Sequence, residues 1–541
     1  MIGDHSMKQK QHGSLPLHPF FIALASVVSL FATNKAEIMP ISAVRLAVIM
    51  LVVALVVYLA NLAIFRNPDK AAMVSTVLLI LFSSYGQVMT LLRDSKALSF
   101  LGHHSTLGLI CLVILAVSIF FITRAKKPEK LTGYLNLVLG ITLAIPLIQS
   151  IAYYAPDWIS SLRAKNSPTN QTASTSSNTP KPTSDAANLT LTAGTNPDIY
   201  FIVLDSYGRE DSLKDAYDFD NSQFISDLRQ RGFYVADCSR SNYGYTRLSL
   251  SSTLNMNYLE TLGLDMTHVN AQGEPKFNNV LLHSEVREDL TALGYKTVAF
   301  ETGYIFTDMT DADVYYKSND NVLFSPYIEQ FEYLYLKNSA FLFVMDTQTD
   351  FMDHYFNRWV FPFNAQKASV QNIFKKLPTV AANVEGPKFV YVHVEVPHHP
   401  FIFMPDGSIN PDKSYYPNIY MPGEKYTKLG YINQVEYVNS QVIPIVDQIL
   451  KDSKQPPIII IEGDHGLLQD VRLKNLYAIY LPGAGKDQLY STITPVNTFR
   501  IVFNNYFGTD LPLLEDRSYM STFARPMDLT QQFEDSPQCA K

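Results

Sequence analysis

Asp464 and His465 stand side by side near the end of Pro456–Gly466, PPIIIIEGDHG. Four isoleucines in a row, bounded by a proline pair and a glycine, predict a short strand buried on both faces of a parallel sheet. Ligands of open α/β sheets bind beyond the carboxyl ends of the strands, so a carboxylate and an imidazole there are placed for chemistry. Aspartate oxygen and histidine nitrogen together suit a divalent transition metal such as zinc or manganese. Alone, the pair also describes an ordinary turn, so its meaning depends on what else the chain supplies.

Two further segments supply candidates. Asp205 follows the apolar run IYFIVL, Ile199–Leu204, and reads either as the start of a turn or as a metal ligand at the end of the domain's first strand. Ser241–Asn257, SNYGYTRLSLSSTLNMN, is rich in hydroxyls ahead of a helix-like run. Thr246 there is an ordinary N-cap or something more useful. The positive end of a helix and a nearby cation both favour the alkoxide, which is how a weak nucleophile becomes usable. A phosphate carried on that oxygen would meet the helix amides.

The elements that must position these residues alternate. Strands are expected at Ile199–Leu204, Phe233–Val235, Thr297–Phe300, Phe389–Val396 and Ala478–Leu481, besides the isoleucine run. Helices are expected near Ser222–Gly232, before Gly294 and near Val435–Leu450. That alternation implies βαβ units and a mainly parallel sheet covered by helices on both faces.

The amino-terminal part is of another kind. The chain has 541 residues, 47% of them hydrophobic, too long and too apolar for one ordinary soluble domain. Residues 1–154 carry 12 Lys+Arg against 5 Asp+Glu, whereas residues 155–541 carry 31 against 45. Apolar runs near the ~20 residues of a membrane-crossing helix lie at about Leu15–Phe31, Ile41–Phe65, Ala71–Leu92, Thr106–Thr123 and Leu131–Tyr154. The distribution of Lys and Arg between their ends places the amino terminus inside and everything after Tyr154 outside. Arg45 and Tyr85 read as snorkelling or interfacial residues of these spans. Ser167–Thr195, rich in Ser, Thr, Asn and Pro and holding sequons at Asn170 and Asn188, reads as a flexible tether. The expected domains are therefore a transmembrane part at 1–154, a linker at 155–196 and an external domain at 197–541. Of the three cysteines, Cys238 and Cys539 both fall in the external part and could pair in an oxidising compartment. No basic cluster interleaved with aromatics occurs, which argues against nucleic acid as a partner.

Together, Asp205, Thr246, Asp464 and His465 resemble the single-metal site of the alkaline phosphatase and sulfatase superfamily. The membrane part places the resemblance in the sulfatase-like membrane branch, with its lipoteichoic-acid synthases and its phosphoethanolamine and phosphoglycerol transferases. It covers most of residues 197–510: an acidic residue ending the first strand, a Thr-x-x-Ser segment (Thr246–Ser249), a His-x-Pro segment and a late Asp-His-Gly. The fold it implies is an α-helical transmembrane bundle of about five spans followed by an α/β/α alkaline-phosphatase-like domain. The ligands it implies for one divalent ion are Asp205, Thr246, Asp464 and His465, with zinc or manganese first and magnesium or calcium next. In VHVEVPHHPF, residues 392–401, the phosphate-contacting histidine of the family matches His398. His393 ranks second for that contact or is a core residue of its strand, and His399 is expected to be structural. Arg209 and Arg247 flank the proposed centre and could clamp phosphate oxygens, and Asp311 or Asp313 could add a ligand or substrate contact.

Departures from the family narrow the chemistry. Cys238-Ser239-Arg240-Ser241 lacks the proline and spacing of the Cys/Ser-x-Pro-x-Arg that becomes formylglycine, which disfavours a sulfatase mechanism. No histidine follows His465, which favours one metal over two. The branch's usual first-strand ligand is Glu, where this chain has Asp205. The expected activity is transfer of a phosphate-containing head group from a membrane phospholipid donor to an envelope glycan or glycolipid acceptor, through a phospho-threonine. The expected place is a bacterial inner membrane, with the catalytic domain on its outer side. The alternatives are a hydrolase using the same site, as phosphodiesterase, phosphatase or sulfatase-like enzyme, and a non-catalytic envelope-assembly protein.

Overall fold

The structure is a computed structural model that describes residues 15–35, 38, 40–165, 196–262, 275–318, 328, 330–346, 363–412, 415, 424–468, 471–483, 485–520, 531–532 and 539. The tether segment Ser167–Thr195, with both sequons, lies outside them. The chain divides into two compact units, residues 1–172 with 321–362, and residues 173–320 with 363–541.

The first unit holds helices α1 (His18–Asn34), α2 (Pro40–Phe65), α3 (Pro68–Asp94), α4 (His104–Arg124) and α5 (Pro128–Lys165). Four of them, α2 to α5, are long and apolar enough to cross a membrane, so the expectation of about five spans is corrected to four. The first apolar run folds as a 17-residue helix with Ala23, Ala25 and Val27 buried. Its start is pinned early, where the His18 and Leu17 amides share the side-chain oxygen of Asn136. By contrast α4 buries only Leu107 among its side chains, as suits a helix whose surroundings are lipid. Helix α5 runs on past Tyr154, through Pro156, to Lys165.

The same unit takes in two short helices from later in the chain, Gln330–Asn338 and Phe341–Asp346. Phe331 and Tyr335 join a core cluster with Ala23, Val27, Met50 and Leu79. Arg45 is not a snorkelling residue. Its Nε and Nη2 each lie 2.6 Å from a carboxylate oxygen of Glu332, which is buried, while Arg45 is half-buried. Tyr85 likewise turns inward, its hydroxyl 3.0 Å from His104 Nδ1.

The second unit opens with β1 (Ile199–Leu204), α6 (Glu210–Tyr217), α7 (Ser222–Gln230), β2 (Tyr234–Val235) and α8 (Thr246–Leu254). It continues with α9 (Pro275–Leu282), α10 (Glu285–Ala292), β3 (Lys296–Phe300) and β4 (Val314–Tyr316). After the excursion into the first unit come α11 (Asn364–Lys376), β5 (Lys388–Val394), α12 (Glu424–Asp452), β6 (Ile458–Glu462), β7 (Tyr477–Tyr480) and α13 (Thr498–Tyr506). Seven strands form one sheet in the order β2-β7-β6-β1-β5-β3-β4. The five from β6 to β4 run parallel, and β7 and β2 complete an antiparallel edge. The parallel core is as expected, because the isoleucine run and IYFIVL are adjacent, fully buried central strands. The strand β4 was not expected, and the segment read for Asp311 and Asp313 is its approach. Asp311 pairs with Arg287 at 3.0 Å, and Asp313 accepts the Thr297 amide at 2.8 Å, so both serve the sheet. Cys238 and Cys539 are joined in a disulfide.

Candidate active site

The three central strands end side by side. Val203 of β1 is level with His393 of β5 and with Glu462 of β6, so the residues just beyond these strands emerge at one edge of the sheet. There Asp205, Asp464 and His465 each offer a ligand atom within 4.8 Å of the others, and all three are buried. The crossing is tight: a Cβ on Gly463 would collide with the carbonyl of Tyr207, so only glycine fits there. Ser206 takes a left-handed backbone, φ +64°, which aims its amide at Asp464 Oδ1, 2.8 Å away. Tyr431 of α12 locks that turn, donating to the Ser206 carbonyl at 2.7 Å and accepting the Gly208 amide at 3.0 Å.

Asp464 divides its labour. Oδ1 accepts the amides of Ser206 and His465, while Oδ2 has no hydrogen-bond partner among the described residues, although it is buried. An orphaned carboxylate oxygen is costly unless a cation meets it. Burial and the neighbouring Asp205 charge push the Asp464 carboxyl up from the ordinary carboxylate range. Burial also opposes ionisation of Asp205, but the imidazoles of His398 and His393 outweigh it and hold that carboxyl below the usual range. His465 Nδ1 lies 2.9 Å from the Gly466 carbonyl, which makes Nδ1 the N–H and leaves the lone pair on Nε2. The donor set is thus two carboxylates and one imidazole nitrogen, and it fits a single divalent ion.

Thr246 is the first residue of α8, and the N-cap position belongs to Tyr245. The hydroxyl is not used as a cap. It lies 3.4 Å from His465 Nε2. Ser241 Oγ fixes the helix against the strand end, 2.6 Å from the Asp464 carbonyl and 3.0 Å from Ser249 Oγ. All four residues expected around one ion therefore converge.

The remaining candidates are placed less uniformly. His393 is fully buried, with Nε2 3.3 Å from Asp205 Oδ2 and Nδ1 3.2 Å from Thr307 Oγ1. That is an ion-pair distance to the carboxylate, and it makes His393 a neighbour of Asp205. His398 is half-buried beside the same carboxylate, its loop held by Gln434, whose Nε2 donates to the Pro397 and His398 carbonyls. His399 stacks on His398 at 4.0 Å, and burial lowers its pKa to about 3, which suits a structural residue. Arg247 lies half-buried one residue beyond Thr246, with its guanidinium 4.5 Å from the Phe306 ring. Arg209 departs from expectation. Its guanidinium grips Asp211 through two hydrogen bonds and donates to the Ser239 carbonyl at 2.9 Å. Those acceptors already occupy its fork, so it serves the packing of α6.

Three neighbours of the site had no signature in the sequence. Ser206 is visible only as a strained turn. Asp308, buried, follows His393's partner Thr307 in the chain, and Arg472 reaches His465 from a segment without any motif, its Nη2 3.3 Å from Nε2.

Comparison with known proteins adds the family. Solved structures similar to the chain include the periplasmic domain of EcEptC from Escherichia coli in complex with Zn. Identity is 12% and TM-score 0.40, over 64% of this chain and 95% of that one. The lipooligosaccharide phosphoethanolamine transferase EptA from Neisseria meningitidis matches 86% of this chain and 88% of its own, at 11% identity and TM-score 0.34. The lipoteichoic acid synthase LtaP from Listeria monocytogenes matches 59% of this chain and 76% of its own, at 14% identity and TM-score 0.35. No curated protein sequence matches the chain. A family model described as Sulfatase matches residues 197–502. That stretch is more than half of the chain, begins just before β1, ends within α13 and contains Asp205, Thr246, His398, Asp464 and His465, so the chain belongs to the sulfatase family.

Proposed function

We propose that the chain is a membrane-anchored transferase. It moves a phosphate-bearing head group from a membrane phospholipid to an envelope glycan or glycolipid, through a phosphoester on Thr246. The observation that carries this reading is the Thr246 hydroxyl at the amino terminus of α8, 3.4 Å from His465 Nε2 and beside Asp205 and Asp464. Asp205, Asp464, His465 and the Thr246 oxygen would hold one divalent ion, zinc or manganese by the mixed oxygen and nitrogen donors. When bound, such an ion supplies Lewis acidity that lowers the pKa of an adjacent hydroxyl and polarises a phosphoryl oxygen.

The chain's own residues account for the rest. Thr246 Oγ1 gives up its proton to solvent and forms a bond to the donor phosphorus, while the bond from phosphorus to the lipid alcohol breaks. His398 gives the departing alcohol a proton, so charge balances across the step. In the second half an acceptor hydroxyl loses its proton to His398 and bonds to phosphorus, the bond from phosphorus to Thr246 Oγ1 breaks, and that oxygen takes a proton from solvent. The first amides of α8 face the phosphoryl oxygens, and their dipole favours the anion throughout. Arg247 is placed to contact the same phosphate. His393 keeps the Asp205 carboxylate turned toward the cluster.

The location proposed is a bacterial inner membrane, with the catalytic unit on the outer side. The helices α2 to α5 support the membrane anchor, and the outer placement takes α1, the 17-residue apolar helix, as a fifth crossing from an inside amino terminus. The Cys238–Cys539 disulfide supports an oxidising compartment. It also leaves Cys238 no thiol to convert to formylglycine, which speaks against sulfatase chemistry.

Mass spectrometry of protein incubated with vesicles of phosphatidylethanolamine and phosphatidylglycerol tests the reading. A phosphate-bearing adduct on the peptide containing Thr246, lost in Thr246→Ala, is expected. Adducts that survive that substitution would refute the nucleophile. Release of free head-group phosphate without any modified glycan would make the enzyme a hydrolase.

A further inference from the structure

We propose that residues 330–346 are a second anchor, one that holds the catalytic unit to the membrane helices independently of the segment that precedes β1. The inference does not depend on which reaction the site performs.

The two short helices sit on a surface shaped for them. Phe331 and Tyr335, one turn apart, are 2% and 3% exposed and pack with Val27 of α1, Met50 of α2 and Leu79 of α3. Between them Glu332 meets both Nε and Nη2 of Arg45, and the Tyr335 hydroxyl lies 2.9 Å from Ser26 Oγ. Further along, α3 presents Gly86, where a Cβ would collide with the Lys337 carbonyl and the Asn338 backbone. The Ala340 amide donates to the Phe82 carbonyl at 2.7 Å. Helix Phe341–Asp346 ends with Asp346 Oδ2 2.9 Å from both Arg93 Nη1 and His104 Nε2.

Charge explains why this placement is specific. Acyl chains offer the Glu332 carboxylate no counter-charge, so among membrane helices it is tolerated only against a cation such as Arg45. Glu332 and Asp346 together therefore fix one register on the bundle. Arg45, Arg93 and His104 lie near the amino end of α2, the carboxyl end of α3 and the amino end of α4, which is one end of the bundle. With the amino terminus inside, that end is the outer one.

The chain comes to this surface from the catalytic sheet and goes back to it. It leaves after Tyr316, the end of β4, and rejoins the second unit at α11. Strands β4, β3, β5 and β1 are parallel, so β4 ends at the same edge of the sheet as β1, where Asp205 emerges. The 15 residues from Tyr316 to Phe331 reach at most ~50 Å, against ~110 Å for the 34 from Lys165 to Ile199. The shorter connection limits how far the catalytic edge can travel from the membrane helices and raises its effective concentration there.

The test uses the full chain with a specific protease site inserted within Ser167–Thr195, purified in detergent and cleaved. The fragment bearing the catalytic unit should still co-elute with α1 to α5 in gel filtration. Glu332→Arg sets like charges face to face and should weaken that association about 100-fold or more. Gly86→Leu improves the helix propensity of α3 but fills the space of the Lys337 carbonyl, and should weaken it about tenfold or more. The exchanged pair, Arg45→Glu/Glu332→Arg, should recover association. Fragments that separate in the unaltered protein would overturn the proposal, as would fragments that stay together equally well in both single variants. Lack of recovery in the exchanged pair, with the thermal transition of the catalytic unit intact, would count against the ion pair as the fixing contact. No arm reads adduct formation, so failure here leaves the transferase reading standing.

Discussion

Replacing Asp464 with asparagine should move the stability of the metal-free and metal-loaded protein in opposite directions. Oδ1 accepts two backbone amides, and an asparagine oxygen accepts them as well. Oδ2 is the buried orphan, and its charge is what the substitution removes. Without metal, burial and the Asp205 charge penalise the carboxylate, which costs about 1–3 kcal/mol by the usual penalty for an unsatisfied buried group. Asp464→Asn should therefore hold or raise the melting temperature in EDTA. With metal, the sign reverses. Loss of an outer partner of a metal ligand already costs 10–100-fold in affinity, so loss of a ligand should cost about 100-fold or more, ~2.7 kcal/mol. Stabilisation by a ligand at about 1,000 times its dissociation constant is ~4.1 kcal/mol, and at ten times only ~1.4. The zinc-dependent gain should accordingly shrink by ~2.7 kcal/mol, or about 4 °C for a unit of this size. Thermal unfolding of both proteins with EDTA and with zinc, alongside metal analysis, reads all four values. A zinc-dependent gain equal in the two proteins, or a large loss of stability in EDTA, would show that Asp464 is only a hydrogen-bonding turn residue.

Two more outcomes rest on the geometry. In the first unit, Arg45→Ala strands Glu332 in a buried setting, and breaking such a pair costs about 3–5 kcal/mol. Unfolding in detergent should show that loss and its recovery in Arg45→Met/Glu332→Met, and a change under 1 kcal/mol would mean that the pair does not hold the inserted helices. Near the site, burial raises Asp308 from 3.8 to about 7. A carboxyl raised in this way stabilises the fold fully below its unfolded value, and the contribution is lost as pH rises through about 7. Asp308→Asn keeps the acceptor for the Tyr315 hydroxyl, so it should match the unaltered protein at acid pH and exceed it in melting temperature at pH ~8. An equal gain at both pH values would refute the assignment.

Local pattern carried much of the fold and the site. A run of four isoleucines between breakers can hardly be anything but a doubly buried strand, and IYFIVL obeys the same rule, so the parallel core of the sheet was legible. So were Asp205, Asp464 and His465, because a polar residue ending a buried strand must emerge at the sheet edge. Hydropathy marked the membrane helices, although α1 starts three residues later than its apolar run, where Asn136 of α5 accepts the Leu17 and His18 amides. What remained hidden depended on partners far away in the chain. Arg209 and Arg472 are alike as letters, and only folding commits the first to Asp211 two residues on and the second to His465 and the Gly244 carbonyl. Arg45 looked like an interfacial residue because Glu332, 287 residues distant, cannot be seen from its neighbourhood. Periodicity records which face of an element is buried. Which charge meets which is a property of three-dimensional distance, and a charge's role changes with its nearest partner.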